Sequence, residues 1–363
     1  MKILFTGGGT IGSVSPLLAV KSEMEKQGIE LRSAWVGSRT GVEVEVMAKE
    51  EILYYPVSSG KFRRYFSWRN FLDLFKVLAG FFQSISIIRK FKPDLVITAG
   101  SFVSVPVIWA AWFLRKKIIV HQQDLKTGLA NKLMAPLADK ITVSFEKSLK
   151  DFNKKKTILT GNPFRRDILS GSREKALELF NLQKDLPTVL IMGGSLGAER
   201  INQVTLDSIS KLIKDCQIIH LSGKGNEVQW LNKKEFGDLA EHYHNYEYLY
   251  DRLKHAYAVA DLVVCRAGLG TLTELSLLEK PAVVIPIARN QQEENAEYFS
   301  EKDAVITLSE NNLSSEKFVE LVKSLLRNSN SLKRLSRSIA QMMPKEVNEK
   351  YVQQIKKLYE GEK

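Results

Sequence analysis

Twice in this chain a short apolar run breaks into a glycine-rich turn and then into a helical pattern. The first spans Lys2 to Val20, KILFTGGGTIGSVSPLLAV. The second spans Thr188 to Leu212, TVLIMGGSLGAERINQVTLDSISKL. Apolar runs this short, bounded by glycine, read as buried strands. Between and after them strands keep alternating with helical segments, which predicts α/β units on parallel sheets wound in the Rossmann manner. Two restarts predict two such halves, and a length of 363 residues suits two domains of roughly 150–180 each.

A third turn of this kind lies in the second half. Leu262 to Cys265 reads as a strand, Arg266 to Gly270 as a tight turn, and Thr271 to Leu278 as a helix. Pro281 to Pro286 is a further buried strand, and Arg289, Asn290, Gln291, Gln292 and Asn295 follow it. Ligands of open α/β sheets bind beyond the carboxyl ends of the strands. A glycine turn entering a helix leaves backbone N–H groups for phosphate. Glu274, one turn in, is placed to accept from a ribose diol. The stretch therefore reads as a nucleotide-diphosphate site, against the alternative of a βαβ unit whose turn only closes the chain.

The first loop holds Gly7, Gly9 and Gly12 in G-x-G-x-x-G spacing. A dinucleotide fingerprint also needs an acid about 20 residues on, at the end of the second strand. That strand, Leu31 to Val36, ends in Gly37-Ser38-Arg39. The loop is thus predicted to receive a phosphate or diphosphate of another ligand; NADP through Arg39 is the minor alternative. His121 and Asp124 close a later strand at its carboxyl end, where reactive groups gather. His121 reads equally well as structural, and Asp124 as a cap for the helix beginning near Thr127.

Residues 61–92 carry eight Lys or Arg against one Asp, interleaved with aromatics. A helix from Trp68 to about Lys90 with apolar residues on more than one face predicts contact with an anionic membrane surface. The residues proposed for it are Phe66, Trp68, Phe71, Phe75, Phe81 and Phe82 with Arg63, Arg64 and Arg69. A core helix with a basic rim is the alternative. The net charge of +12 points to an anionic partner, but no nucleic-acid module accompanies the patch. Cys216 and Cys265 have no metal spacing and predict a reducing compartment. No signal peptide and no membrane-spanning run is read.

These stretches together resemble the MurG family, bacterial N-acetylglucosaminyltransferases that complete lipid II, of glycosyltransferase family 28 with the GT-B fold. The resemblance runs through GGGTIGSVSPLLAV, AGSFVSVP, HQQDLKTGLANK, TGNPFR, GGSLGA, CRAGLGTLTE and NQQEENA. It implies two Rossmann-like domains facing a central cleft. Residues 1–160 would bind acceptor and membrane, residues 161–340 would bind UDP-N-acetylglucosamine, and residues 341–363 would form a helix packing back on the N-terminal domain. TGNPFR would be the linker. For the sugar nucleotide it implies Thr10, Gly12, Asp124, Arg165, Ser195, Thr271, Glu274, Gln291, Gln292 and Asn295. For the acceptor diphosphate it implies Gly8, Gly9, Gly12 and Ser13. The acceptor would be lipid I on an undecaprenyl carrier, at the cytoplasmic face of the membrane. No cofactor is implied, and no D-x-D motif marks a divalent cation.

Two departures stand out. The family's first loop reads GGTGGH, and the place of its histidine is taken by Ser13. Its HEQN reads His121-Gln122-Gln123-Asp124. Serine is no general base unaided, so Asp124, His121 and Ser13 are the catalytic candidates. The leading expectation is inverting transfer of N-acetylglucosamine to lipid I. Another lipid or glycan acceptor, or binding without turnover, are the alternatives.

Overall fold

The computed structural model describes residues 1–60, 68–194, 197–226 and 237–361; the side chains of residues 68–72 and 74 are also outside the described set. The chain divides into two compact units, Met1–Arg165 with Glu346–Lys363, and Arg166–Lys345.

The first unit holds seven parallel strands: β1 (Lys2–Thr6), β2 (Arg32–Gly37), β3 (Leu53–Pro56), β4 (Leu95–Thr98), β5 (Lys117–Gln122), β6 (Lys140–Val143) and β7 (Thr157–Leu159). Their order is β3-β2-β1-β4-β5-β6-β7. The central strands are apolar and buried along their length, because helices cover both faces of a parallel sheet. On one face Val96, Val107, Ile108 and Ile118 form a core. On the other, Phe5, Leu17, Trp35 and Ile97 do so with Tyr351, Val352 and Ile355.

Those last three lie on the helix Val347–Glu360, which packs against the helix Ser15–Lys26. Lys117 Nζ donates to the terminal carbonyls of Leu358 and Tyr359, as suits a cation at a helix C-terminus. The segment Thr160–Phe164, expected to be linker, is buried in this unit. Asn348 Oδ1 accepts from Phe164 N at 3.1 Å, and its Nδ2 donates to Phe164 O at 2.8 Å. The chain leaves the unit only after Arg165. Residues 315–345 stay in the second unit, and the chain returns to the first from Glu346.

The second unit holds β8 (Thr188–Met192), β9 (Gln217–Leu221), β10 (Tyr243–Tyr246), β11 (Leu262–Cys265), β12 (Ala282–Val284) and β13 (Ile306–Thr307). Their order is β10-β9-β8-β11-β12-β13, all parallel. Pairing of Tyr243 with Ile218 fixes the register of β10 against β9. Each sheet thus reverses strand order beside its first strand, the place where open α/β sheets bind ligands.

Candidate functional site

In the second unit β8, β11 and β12 end level with one another: Met192 pairs with Cys265, and Cys265 with Val284. Their following turns therefore emerge side by side. The turn after β8 uses Gly194 at φ +95°, a conformation glycine adopts without cost. Ser195 lies outside the described residues. The turn after β11 ends at Gly268, the N-cap of the helix Leu269–Leu277. The N–H groups of Leu269, Gly270 and Thr271 have no acceptor within the helix, which makes this end a receptor for an anion.

Glu274 is half-buried on the same helix. Behind it Tyr257, fully buried, donates its hydroxyl to Glu274 Oε2 at 3.0 Å. Burial and the Glu274 charge push the Tyr257 phenol well above its ordinary value, so it stays a donor. The helix Gln291–Ser300 follows β12 and is capped by Asn290. Asn295, buried, donates to Ala267 O at 3.2 Å, tying this helix to the glycine turn. Gln292 Oε1 accepts from Ile287 N at 3.2 Å, and Gln291 is exposed. Arg266 clamps the turn from below, donating to the carbonyls of Ile285 and Pro286 and pairing with Glu310. Thr271, Glu274, Gln292 and Asn295 thus share one corner of the unit.

In the first unit the loops after β1, β4 and β5 form a hydrogen-bonded rim. Ser101 Oγ donates to Gly8 O at 2.7 Å. Gln123 Nε2 donates to Ala99 O at 2.8 Å. Gln122 Nε2 donates to Asp124 O at 2.6 Å, shaping the turn that carries Asp124. The following helix, Leu129–Met134, has Gly128 as its N-cap, so Asp124 is not the cap that sequence allowed. Asp124 is half-buried on the rim, joined to the loop of Gly8, Gly9, Gly12 and Ser13 through the intervening loop after β4. Ser13 is buried, with Oγ within 3.2 Å of Gly8 O and 3.1 Å of Thr10 O. Its hydroxyl proton is directed into its own loop.

His121 sits under the rim. It is 0% exposed. Its Nδ1 meets Thr142 Oγ1 at 2.9 Å and its Nε2 meets Asn162 Oδ1 at 3.2 Å. Burial lowers its pKa to about 4. With both nitrogens engaged and its ring edge-on to Tyr351, this is the setting of a structural histidine rather than of a base.

Thr10, Gly12, Asp124 and Arg165 belong to the first unit, while the other residues assigned to the sugar nucleotide belong to the second. Of the membrane residues, Phe66, Arg63 and Arg64 lie outside the described residues, as do the side chains of Trp68, Arg69 and Phe71. Phe75 and Phe82 are exposed, at 55% and 67%. Phe81 is half-buried and packs edge-on against Phe82 and Phe113. Sequence missed Trp112 and Phe113, exposed at the end of the neighbouring helix Ser104–Phe113. It also missed Tyr257, Arg266 and the buried carboxylate Glu43.

The glycosyltransferase family 28 N-terminal domain matches residues 3–143, and the family 28 C-terminal domain matches residues 188–355. A relative from Bacillus cereus (strain ATCC 10987 / NRS 248) is 38% identical over 92% of this chain and 93% of its own length. It is named UDP-N-acetylglucosamine--N-acetylmuramyl-(pentapeptide) pyrophosphoryl-undecaprenol N-acetylglucosamine transferase 2. A relative from Clostridium perfringens (strain SM101 / Type A), named as such a transferase, is 39% identical over 90% of each chain. Among solved structures, Acinetobacter baumannii MurG superposes with a TM-score of 0.73 at 23% identity, covering 98% of this chain and 99% of its own. A putative UDP-N-acetylglucosamine 2-epimerase from Listeria monocytogenes reaches the same TM-score at 15% identity, covering 100% and 97%. These structures share the fold of two Rossmann-like parallel-sheet units, and with both family domains matched in order the chain belongs to glycosyltransferase family 28.

Proposed function

We propose that the protein transfers N-acetylglucosamine from UDP-N-acetylglucosamine to the 4-hydroxyl of lipid-linked N-acetylmuramyl-pentapeptide, converting lipid I to lipid II. The observation that carries this is the corner of the second unit where a glycine turn, a helix N-terminus and a carboxylate fixed by Tyr257 meet. Such a corner suits a nucleoside diphosphate: ribose hydroxyls on Glu274, phosphates on the N–H groups at Thr271, sugar hydroxyls on the amides of Gln291 and Gln292. Asn295 supports it by holding the turn. Relatives named for this reaction align over nine-tenths of both chains.

In this reading the acceptor hydroxyl attacks the anomeric carbon, and the bond to the β-phosphate oxygen breaks. Charge developing on the leaving UDP is met by the N–H groups at the N-terminus of the helix Leu269–Leu277. Ser13 is not the base, because its hydroxyl is spent on its own loop. His121 is sealed beneath the rim. Asp124, half-buried on that rim, is the proton acceptor. The acceptor's diphosphate lies along Gly8, Gly9, Gly12 and Ser13. Its lipid stays in an anionic leaflet, against the aromatic patch that Phe75, Phe82, Trp112 and Phe113 present; no described helix is long and apolar enough to cross a membrane.

UDP release by purified protein tests this, with lipid I, other polyprenyl-linked sugars or no acceptor. Release that requires lipid I supports the reading. Release with only another acceptor assigns a different transfer. UDP-N-acetylglucosamine binding without release in any arm makes the protein a binder.

A further inference from the structure

Glu43 is 0% exposed, and among the described residues no Lys or Arg pairs with it. A carboxylate buried without a cation is costly unless donors surround it. Here three do. Gly9 N–H donates to Oε2 at 2.9 Å, and Ser38 N–H and Oγ–H donate to Oε1 at 2.8 and 2.6 Å. Glycines make the room: a Cβ built on Gly8 or Gly41 would overlap this carboxylate, and one on Gly37 would come within 2.9 Å of Glu43 Cγ. Glu43 also lies in the first turn of the helix Val42–Lys49, where negative charge is favoured.

The partners of the neighbouring carbonyl give this arrangement its meaning. Gly8 C=O and Gly9 N–H belong to one peptide group. The carbonyl end accepts from Ser101 Oγ at 2.7 Å, with Ser13 Oγ at 3.2 Å. The N–H end is taken by Glu43. The peptide is therefore held at both ends and cannot flip, although Gly9 at φ +84° would otherwise turn freely. That peptide sets the direction of the loop entering the turn Ile11–Ser13 and the helix Ser15–Lys26.

We infer that Glu43 is a positioning residue that fixes the Gly8–Gly9 peptide so that the loop can receive the acceptor's diphosphate. The inference rests on the reading of this loop as the acceptor site. Charge alone cannot be the contribution, since a carboxylate behind the loop repels a diphosphate in front of it. The two effects have opposite signs. Losing the charge alone would tighten acceptor binding; losing the geometry weakens it.

Glu43→Gln keeps the size but sets an amide NH2 against one of the N–H donors. Steady-state kinetics with a short-chain lipid I analogue should show the KM for acceptor rising about tenfold, as for loss of a hydrogen bond to a charged group. The KM for UDP-N-acetylglucosamine should stay within about twofold, because a geometric role confined to this loop leaves the donor untouched. Ser101→Ala removes the shorter hydrogen bond at the other end of the same peptide and should act in the same direction; it decides the matter if Glu43→Gln does not fold. Gly12→Val, which crowds the loop face without touching Glu43, tests the loop assignment itself. If Gly12→Val raises acceptor KM while Glu43→Gln and Ser101→Ala leave or lower it, the inference is overturned and the loop assignment stands. If all three leave it unchanged, the loop is not the acceptor site and both fall. If donor and acceptor KM rise together in Glu43→Gln, the residue only supports the fold and the inference is overturned.

Discussion

Glu274 owes its place to Tyr257, which comes from a different helix and is buried to zero exposure. A buried phenol needs a partner for its hydroxyl, and here the partner is the residue assigned to the ribose. Glu274→Ala should weaken UDP binding about tenfold or more, as expected for lost charge-assisted hydrogen bonds. Tyr257→Phe should weaken it less, by roughly threefold to tenfold, because the carboxylate remains but loses a neutral donor's hydrogen bond. Calorimetry with UDP checks the order; equal loss in both, or none in either, contradicts the assignment. At the other site, Asp124→Asn keeps the shape and removes the basicity. Turnover should fall about a hundredfold with UDP affinity unchanged, and surviving turnover would move the proton elsewhere. The positions of Glu274 and Asp124 beyond strand ends were legible because each follows an apolar run in sequence. Tyr257 and Glu43 were not, because Glu274, the partner of Tyr257, and Gly9, one partner of Glu43, lie 17 and 34 residues away in sequence and no periodic pattern encodes such pairings.

At the scale of elements, β5 and β9 each carry a histidine into a buried place. His121 on β5 and His220 on β9 are both drawn from 6.5 to about 4 by burial. Both are neutral in the folded protein between those values, whereas the unfolded chain takes up protons below 6.5. Stability is therefore lost as pH falls from about 6.5 to 4, by up to roughly 3 kcal/mol for each. Thermal melts should show a steeper fall across that window for the wild type than for His220→Asn; parallel curves would contradict the shift. The helices Trp68–Phe91 and Ser104–Phe113 pack together and leave Phe75, Phe82, Trp112 and Phe113 exposed. Such aromatics should enter an anionic bilayer surface. Phe82→Ser or Trp112→Ser should weaken binding to anionic vesicles about tenfold, and salt should weaken the wild type's binding. Equal binding to neutral vesicles would count against the basic part of the surface. Sequence placed the first helix but not the second contribution. SVPVIWAAWF has no polar residue after Ser104 to mark an outward face, and only the fold shows its last two aromatics exposed.

At the scale of the whole molecule, the chain finishes in the unit where it began. Tyr351, Val352 and Ile355 complete the core under β1, β4 and β5. A chain ending at residue 345 should lose that unit's stability, with faster hydrogen exchange in β1 and β5 while β8 and β11 stay protected. Unchanged exchange in β1 would contradict this. The two-fold restart of strand, glycine turn and helix made both sheets legible. The return point was less so: Asn348 and Phe164 pair across 184 residues, which is why TGNPFR looked like linker. The reaction is tested most directly by its product. Purified protein incubated with lipid I and UDP-N-acetylglucosamine should yield a lipid heavier by one N-acetylhexosamine residue, joined at the muramyl 4-hydroxyl with inverted, β anomeric configuration. A product carrying the sugar elsewhere or with retained configuration, or no product from folded protein that binds UDP-N-acetylglucosamine, would contradict it.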